Sequence, residues 1–232
     1  MSKVFKNIAT AIVSLIIIFV SVFFVWTGDY YHAEQAVIAM YEGDKSMYES
    51  GEYTVINPEE PNNTGIIFYP GAKVEAISYL PLLDKLSEEG YTVILCEMPF
   101  NLAFLGVDKA DAAIELFSEE IEDVYIAGHS LGSAMATSYA VENMEKVEGV
   151  IILGGYIYKD YPAEDALTIY GSLDPQDSKI DYEENIVVIE GGNHAQFGNY
   201  GEQDGDVKGE ISADKQQDLT VEAIVDFIKS RK

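Results

Sequence analysis

A serine between two glycines, near the middle of the chain, has a spacing that suits nucleophilic catalysis. The motif is Gly128-His129-Ser130-Leu131-Gly132, and it follows an apolar run at 124–127 that predicts a strand and precedes small residues at 133–141 that predict a helix. A strand-to-helix turn this tight has room only for glycine two positions either side of the serine, and it holds the hydroxyl above the edge of the sheet. The motif therefore predicts that Ser130 is a nucleophile.

A nucleophilic serine needs a general base, and the chain has three histidines. His32 lies close to the apolar N-terminal segment, and His129 lies inside the turn, where the backbone should direct its side chain away from the serine. His194 directly follows the last predicted strand, in a glycine-rich loop. Elimination therefore predicts that His194 is the base.

An acid that orients this base should come from the same edge of the sheet. Asp174 follows a predicted strand at 167–170 and precedes Pro175, whose ring restricts the loop. An aspartate before a proline also commonly caps its own turn, and Asp177 is an alternative acid three residues on. We favour Asp174 because it comes immediately after the strand.

Short apolar runs alternate with amphipathic segments through most of the chain. The runs that predict strands are 53–56 at an edge of the sheet, 65–69, 92–96, 124–127, 150–153, 167–170 and 186–189. Helical spacing of apolar residues predicts helices at 76–86, with a kink or break at Pro81, at 108–117 and at 221–228. The alternation predicts an α/β fold, in which a mainly parallel sheet has helices on both faces and binds ligands at the carboxyl ends of its strands.

Two backbone amides should stabilise the negative charge that forms when a serine attacks a carbonyl group. One is the N–H of Leu131, which follows the nucleophile in the first turn of the helix. The second should come from the loop after strand 65–69, where we expect the Ala72 N–H, with that of Gly71 as the alternative. The two amides would form an oxyanion hole.

The N-terminal region predicts a membrane anchor. Ile8–Trp26 is an uncharged apolar run about one bilayer thick, with Lys3 and Lys6 before it and acidic residues after it. The positive-inside bias predicts a cytoplasmic segment at 1–7, a transmembrane signal anchor at 8–26, a juxtamembrane linker at 27–50 and an extracytoplasmic domain at 51–232. A cleaved signal peptide is the alternative, although the run is long for one and no small-residue cleavage site follows it. We expect a single-pass protein of the cell membrane.

The composition argues against some classes of partner. The chain has 40 acidic and 14 basic residues and a net charge of −26, which disfavours binding to nucleic acid or to an anionic lipid surface and suits solubility. The single cysteine, Cys96, lies in a predicted strand, so we expect a buried thiol and no internal disulfide. Asp204-Gly205-Asp206 lacks the further acidic residues of a calcium loop, so we expect no metal.

The chain resembles the α/β-hydrolases over residues 64–227, and more narrowly the compact bacterial hydrolases of the dienelactone-hydrolase-like, fold-5 type. The broad resemblance depends on Ser130, Asp174 and His194, in the order of that superfamily. The narrower one depends on the motifs YPGA at 69–72, MPFNLA at 98–103 and HAQFGNY at 194–200. The resemblance implies a catalytic triad and no organic cofactor. Dienelactone hydrolases use a cysteine nucleophile where this chain has a serine, so their particular reaction is not implied.

These features predict a membrane-anchored serine hydrolase that cleaves a carboxylic ester or related acyl bond through an acyl-enzyme. An acyltransferase, an amidase or peptidase with the same triad, and a surface binding module without activity are the alternatives. The segment between Leu153 and Leu167 is short, so we expect a minimal lid and an open cleft walled by Tyr156, Tyr158, Tyr161 and residues 100–104. Such a cleft suits a small-molecule ester or an acyl group on a larger cell-surface molecule.

Overall fold

The computed structural model describes residues 3–44, 46–174 and 179–232, and the chain divides into one unit at residues 1–30 and another at residues 31–232. The first unit contains helix α1 (Lys3–Gly28). An 18-residue window within its stretch Phe5–Gly28 has a mean hydropathy of 2.9, and by length and composition alone this stretch could cross a membrane. The apolar run Ile8–Trp26 therefore lies within a single helix.

The second unit is built on one sheet of eight strands within the described residues. The strands are β1 (Met47–Ser50), β2 (Tyr53–Ile56), β3 (Thr64–Tyr69), β4 (Thr92–Cys96), β5 (Asp123–His129), β6 (Gly149–Leu153), β7 (Ala166–Gly171) and β8 (Ile186–Ile189). Their order is β1-β2-β4-β3-β5-β6-β7-β8, and all neighbours from β4 to β8 are parallel, whereas β1 and β2 run antiparallel to their neighbours. The prediction of a mainly parallel sheet is confirmed.

Helices cover both faces of this sheet. They are α2 (Gln35–Gly43), α3 (Leu80–Glu88), α4 (Lys109–Leu116), α5 (Leu131–Glu142) and α6 (Ala213–Ser230). Side chains alternate between two cores along β3: Ile66 and Phe68 share one with residues of α3 and α6, whereas Ile67 shares the other with residues of α4 and α5. Cys96 is fully buried in the second core, where burial raises the pKa of its thiol, as expected of a structural cysteine.

The structure differs from the sequence prediction in the stretch 27–50, which we expected to be a linker. Part of it forms α2, and another part forms β1, which pairs with β2 and takes the edge position predicted for residues 53–56. Val37 and Met47 are buried in the core, and their burial stabilises the two elements. Few apolar residues of this polar stretch are buried, so its composition does not reveal α2 and β1. The folded unit begins at residue 31 rather than at residue 51.

The segment predicted to be helical at 76–86 is divided in two. Residues 76–79 form a 3-10 turn, and α3 begins at Leu80, so Pro81 lies in the first turn of the helix. Proline is tolerated there because the first N–H groups of a helix have no acceptor within it. The division leaves Tyr79 fully buried between the loop that follows β3 and the start of α3.

Two glycines allow the serine turn to pack against the end of β3. A Cβ atom on Gly132 would lie 2.1 Å from the carbonyl oxygen of Tyr69 and 2.5 Å from that of Pro70. A Cβ atom on Gly128 would lie 2.4 Å from the carbonyl carbon of Gly132. A side chain at either position would therefore push backbone apart, which confirms that the turn has room only for glycine.

We expect Gly132→Ala to destabilise the folded unit by about 3 kcal/mol, because the added methyl group would meet two backbone carbonyls that cannot rotate away. Gly43→Ala is the matched control, since no atom lies within 4 Å of its added Cβ. This change at the end of α2 should leave the free energy of unfolding within about 1 kcal/mol of the wild type. Thermal and urea unfolding of the full chain in detergent measure both variants. Equal midpoints would contradict the packing argument.

Candidate active site

Ser130 lies between β5 and α5 in a strained backbone conformation, with φ 53° and ψ −118°. A positive φ is rare for a residue with a side chain and costs about 1–3 kcal/mol unless the surrounding structure imposes it. Here the Ser130 N–H donates to the Leu153 carbonyl at 2.9 Å, and the Ser130 carbonyl accepts from Ser133 Oγ at 2.7 Å. The hydrogen bonds with Leu153 and Ser133 therefore hold the turn in place.

Asp174 and His194 come together at the carboxyl ends of two adjacent parallel strands, β7 and β8. His194 Nδ1 lies 2.7 Å from Asp174 Oδ2, and Asp174 is only 8% exposed. The two loops touch closely, because a Cβ atom on Gly171 would lie 2.2 Å from the carbonyl carbon of Gly192. The alternative acid, Asp177, lies outside the described residues.

Side chains far away in sequence fix the loop that carries His194. The amide of Gln216, fully buried on α6, accepts from the Asn193 N–H at 3.0 Å and donates to the Asn193 carbonyl at 2.9 Å. Asp206 accepts from the N–H groups of His194 at 3.3 Å and Ala195 at 2.8 Å. The sequence indicates Asp206 only as a candidate calcium ligand and does not identify Gln216 as a functional residue. Neither contact can be predicted from local sequence, because each joins distant segments.

His129 has both ring nitrogens engaged away from the serine. Its Nδ1 lies 2.8 Å from Tyr79 Oη, which also accepts from the Gly71 N–H at 3.1 Å. Its Nε2 lies 3.0 Å from the carbonyl oxygen of His194. Since that carbonyl can only accept, Nε2 carries the proton and Nδ1 accepts from the tyrosine. Burial, with a contribution from His194, holds the pKa of His129 well below its ordinary value, so the ring stays neutral. We call Gly71, Tyr79, His129 and His194, linked in this way, the imidazole bridge.

The imidazole bridge determines which of the predicted oxyanion donors already has a hydrogen-bond acceptor. The Gly71 N–H is already bonded to Tyr79, and the Lys73 N–H donates to the Asn101 carbonyl at 2.8 Å, whereas no acceptor among the described residues takes the Ala72 N–H. The Leu131 N–H is the first of α5 and has no acceptor within the helix. Of the two amides considered in the loop after β3, only that of Ala72 is thus without an acceptor among the described residues.

Ser130 and His194 line one cleft of about 420 Å³. Leu131, Tyr156 and Tyr158 also line it. Lys179 adds a cation to the wall, with its Nζ 5.3 Å from the ring centroid of Tyr156. The described part of the chain thus brings the predicted nucleophile, base and first oxyanion amide to a single surface.

Two predicted walls of the cleft are wrong. Tyr161 is 7% exposed and packs in the core that contains residues of α5. Residues 100–104 are not among the described residues that line the cleft. The carbonyl of Asn101 instead accepts from the Lys73 N–H, so this segment supports the loop that contains Ala72.

A family model described as the alpha/beta hydrolase family matches residues 65–218. No curated protein matches the chain in sequence. Among solved structures, a metagenome-derived lipolytic enzyme is 14% identical, with a TM-score of 0.55 over 76% of this chain and 97% of that chain.

Two further solved structures are similar in fold. The ferulic acid esterase from Streptomyces cinnamoneus is 18% identical, with a TM-score of 0.54 over 75% of this chain and 68% of that chain. A soluble variant of the monoglyceride lipase from Saccharomyces cerevisiae is 11% identical, with a TM-score of 0.55 over 80% of this chain and 94% of that chain. At such identities the likeness is one of fold alone.

The family match spans more than half of the chain, from β3 into α6. It therefore includes the serine turn and the loops after β7 and β8 that carry Asp174 and His194. The match identifies the broad family and leaves the narrower dienelactone-hydrolase-like resemblance as a prediction. With the fold, the match establishes that the chain belongs to the α/β-hydrolase family.

Proposed function

We propose that the protein is a serine hydrolase that cleaves a carboxylic ester or related acyl bond through an acyl-enzyme on Ser130. The observation that carries the proposal is the 2.7 Å pairing of His194 Nδ1 with Asp174 Oδ2 in the cleft that Ser130 also lines. A histidine whose Nδ1–H is held by a carboxylate presents Nε2 as the base for a serine hydroxyl. Membership of a hydrolase family supports the reaction class.

In the first half of the proposed reaction, His194 Nε2 takes the proton of Ser130 while Oγ attacks the substrate carbonyl carbon. The N–H groups of Leu131 and Ala72 donate to the oxyanion, and Asp174 stays ionised and stabilises the imidazolium. His194 then gives its proton to the leaving alcohol, and the carbon–oxygen bond of the ester breaks.

In the second half, water replaces the alcohol. His194 takes a proton from this water, the resulting hydroxide attacks the acyl carbon, and the proton returns to Ser130 Oγ as the acid leaves. The connection 154–165 between β6 and β7 contains only bends, irregular backbone and a 3-10 segment at 163–165. So short a lid leaves the acyl-enzyme open to water and suits a small acyl group.

The substitution Ser130→Ala should reduce ester turnover by about 10⁵-fold or more and abolish labelling by a fluorophosphonate probe, because both need the hydroxyl. Ser118→Ala is the matched control, since this exposed serine bonds only locally, to the Glu115 carbonyl at 3.0 Å. Gel fluorescence and p-nitrophenyl acetate hydrolysis measure the two effects. Turnover that survives in Ser130→Ala would exclude Ser130 as the nucleophile, and folded wild type that resists the probe would count against the whole proposal.

The two candidate acids can be separated by substitution. Asp174→Asn should lower kcat by about 10³–10⁴-fold, because a neutral amide neither fixes the His194 tautomer nor stabilises the imidazolium. Asp177→Asn should change kcat by no more than about twofold. Both variants are compared at equal concentrations of folded protein by circular dichroism. The reverse pattern would assign the acid to Asp177.

We also propose that α1 anchors the hydrolase unit to the outer face of a cell membrane. Its apolar stretch is long enough to span a bilayer, and Lys3 and Lys6 precede the run Ile8–Trp26. The positive-inside rule then directs the N-terminus to the cytoplasm. In this position the acyl substrate is a small molecule or a cell-surface component, and the net charge of −26 disfavours nucleic acid as a partner.

Protease treatment of intact cells should digest the hydrolase unit and leave an N-terminal epitope tag protected on a short fragment. Permeabilised cells are the control, in which the tag should also be degraded. The measurement is immunoblotting against the tag and against residues of α6. A hydrolase unit protected in intact cells would contradict the orientation, and a unit released into the medium without α1 would indicate cleavage instead of anchoring.

A further inference from the structure

The imidazole bridge joins the two loops on which the proposed chemistry depends. At one end, Tyr79 Oη accepts from Gly71, the residue before the proposed oxyanion donor Ala72. At the other end, His129 Nε2–H donates to the backbone of His194, the proposed base. His129 itself is the last residue of β5 and immediately precedes Ser130. A single side chain thus contacts the base loop directly and the oxyanion loop through one hydroxyl.

The two side chains in the middle of the bridge, Tyr79 and His129, are enclosed in protein. Tyr79 is 0% exposed and His129 is 1% exposed, and neither side chain lines the cleft. In so dry a place a hydrogen bond is stronger than in water, and a polar group that loses its partner cannot turn to solvent. The links of the bridge are therefore expected to form together and to break together.

Packing alone does not require these residue types. The Tyr79 ring contacts Phe68 with 4.9 Å between centroids, and the His129 ring contacts Phe197 at 5.6 Å, so apolar side chains could fill the same space. Only a neutral imidazole accepts at one nitrogen while it donates at the other across the width of a ring. The rings of His129 and His194 lie 4.6 Å apart, and a Cβ atom on Gly154 would come within 3.1 Å of both.

We propose that Tyr79 and His129 are positioning residues that hold the base and the oxyanion loop in register with Ser130. This inference rests on the proposed function and extends it to residues that do not touch the substrate. The neutral imidazole of His129 fixes the backbone of His194, and Tyr79 keeps the Gly71 amide turned inward so that the Ala72 amide faces the oxyanion. The bridge therefore sets the rate of the chemical step and leaves substrate affinity nearly unchanged.

The first test is Tyr79→Phe, which removes one oxygen atom and keeps the buried ring. It should lower kcat by about tenfold with KM within about twofold, because misplacement costs the transition state more than the ground state. Tyr139→Phe is the control: this buried tyrosine on α5 loses its hydrogen bond from Oη to Asp111 Oδ1 at 2.6 Å, away from the cleft. Rates are normalised to active sites titrated with fluorophosphonate. Equal kcat in the two variants would overturn the proposal.

The second test asks whether the bridge acts as a unit. His129→Gln keeps a donor and an acceptor and should retain several-fold more kcat than His129→Leu, which keeps neither. Adding Tyr79→Phe to His129→Leu should lower kcat by less than about twofold further, because the bridge is already broken. Fully additive losses, or equal kcat for the glutamine and leucine variants, would contradict a bridge that acts as a unit through its hydrogen bonds.

A third measurement does not need turnover. The proton on His194 Nδ1, held by Asp174, should give a far-downfield NMR resonance in the full chain, and Tyr79→Phe should shift or broaden it while Tyr139→Phe should not. A resonance unmoved by Tyr79→Phe would overturn the positioning role even in an active enzyme. A resonance that moves in a protein without ester turnover or probe labelling would refute the proposed function and keep the mechanical link.

Discussion

The close approach of Gly132 to the carbonyls of Tyr69 and Pro70 is the constraint from which the rest of the site follows. It brings the first turn of α5 against the loop after β3, so the amides of Leu131 and Ala72 come from segments that are distant in sequence and adjacent in space. It also leaves Ser130 in a backbone conformation that an unconstrained residue avoids. The close contact between the serine turn and the loop after β3 thus depends on the absence of a side chain at a single position.

The sequence predicts well what local chemistry determines. Glycines at a strand-to-helix turn mark Ser130, and the scarcity of histidines points to His194. Both the mainly parallel sheet and the α/β-hydrolase family are confirmed. Continuous apolar runs predict the sheet because both of its faces are buried, and the order of Ser130, Asp174 and His194 predicts the family. The catalytic roles stay predictions, although the pairing of Asp174 with His194 supports them.

What the sequence does not predict depends on contacts between distant segments. Tyr79 is an ordinary core aromatic until the fold places its hydroxyl between Gly71 and His129. The acidity of the chain is also more than a solvated surface: Asp206 accepts from the backbone beside His194, and Glu75 accepts from the Ala33 N–H at 2.7 Å. Composition alone does not distinguish carboxylates that accept backbone hydrogen bonds from carboxylates that only add negative charge, since it carries no information about hydrogen-bond partners.

The contact between Gln216 and Asn193 bears on the order in which parts of the site fold during synthesis. A chain leaves the ribosome from its N-terminus, so the serine turn and the strands around it can fold while later residues are still being added. The backbone N–H and carbonyl of Asn193 gain their hydrogen bonds to the Gln216 side chain only after residue 216 of α6 has been synthesised. In a nascent chain the serine turn can therefore form before the backbone beside His194 gains its partners from α6.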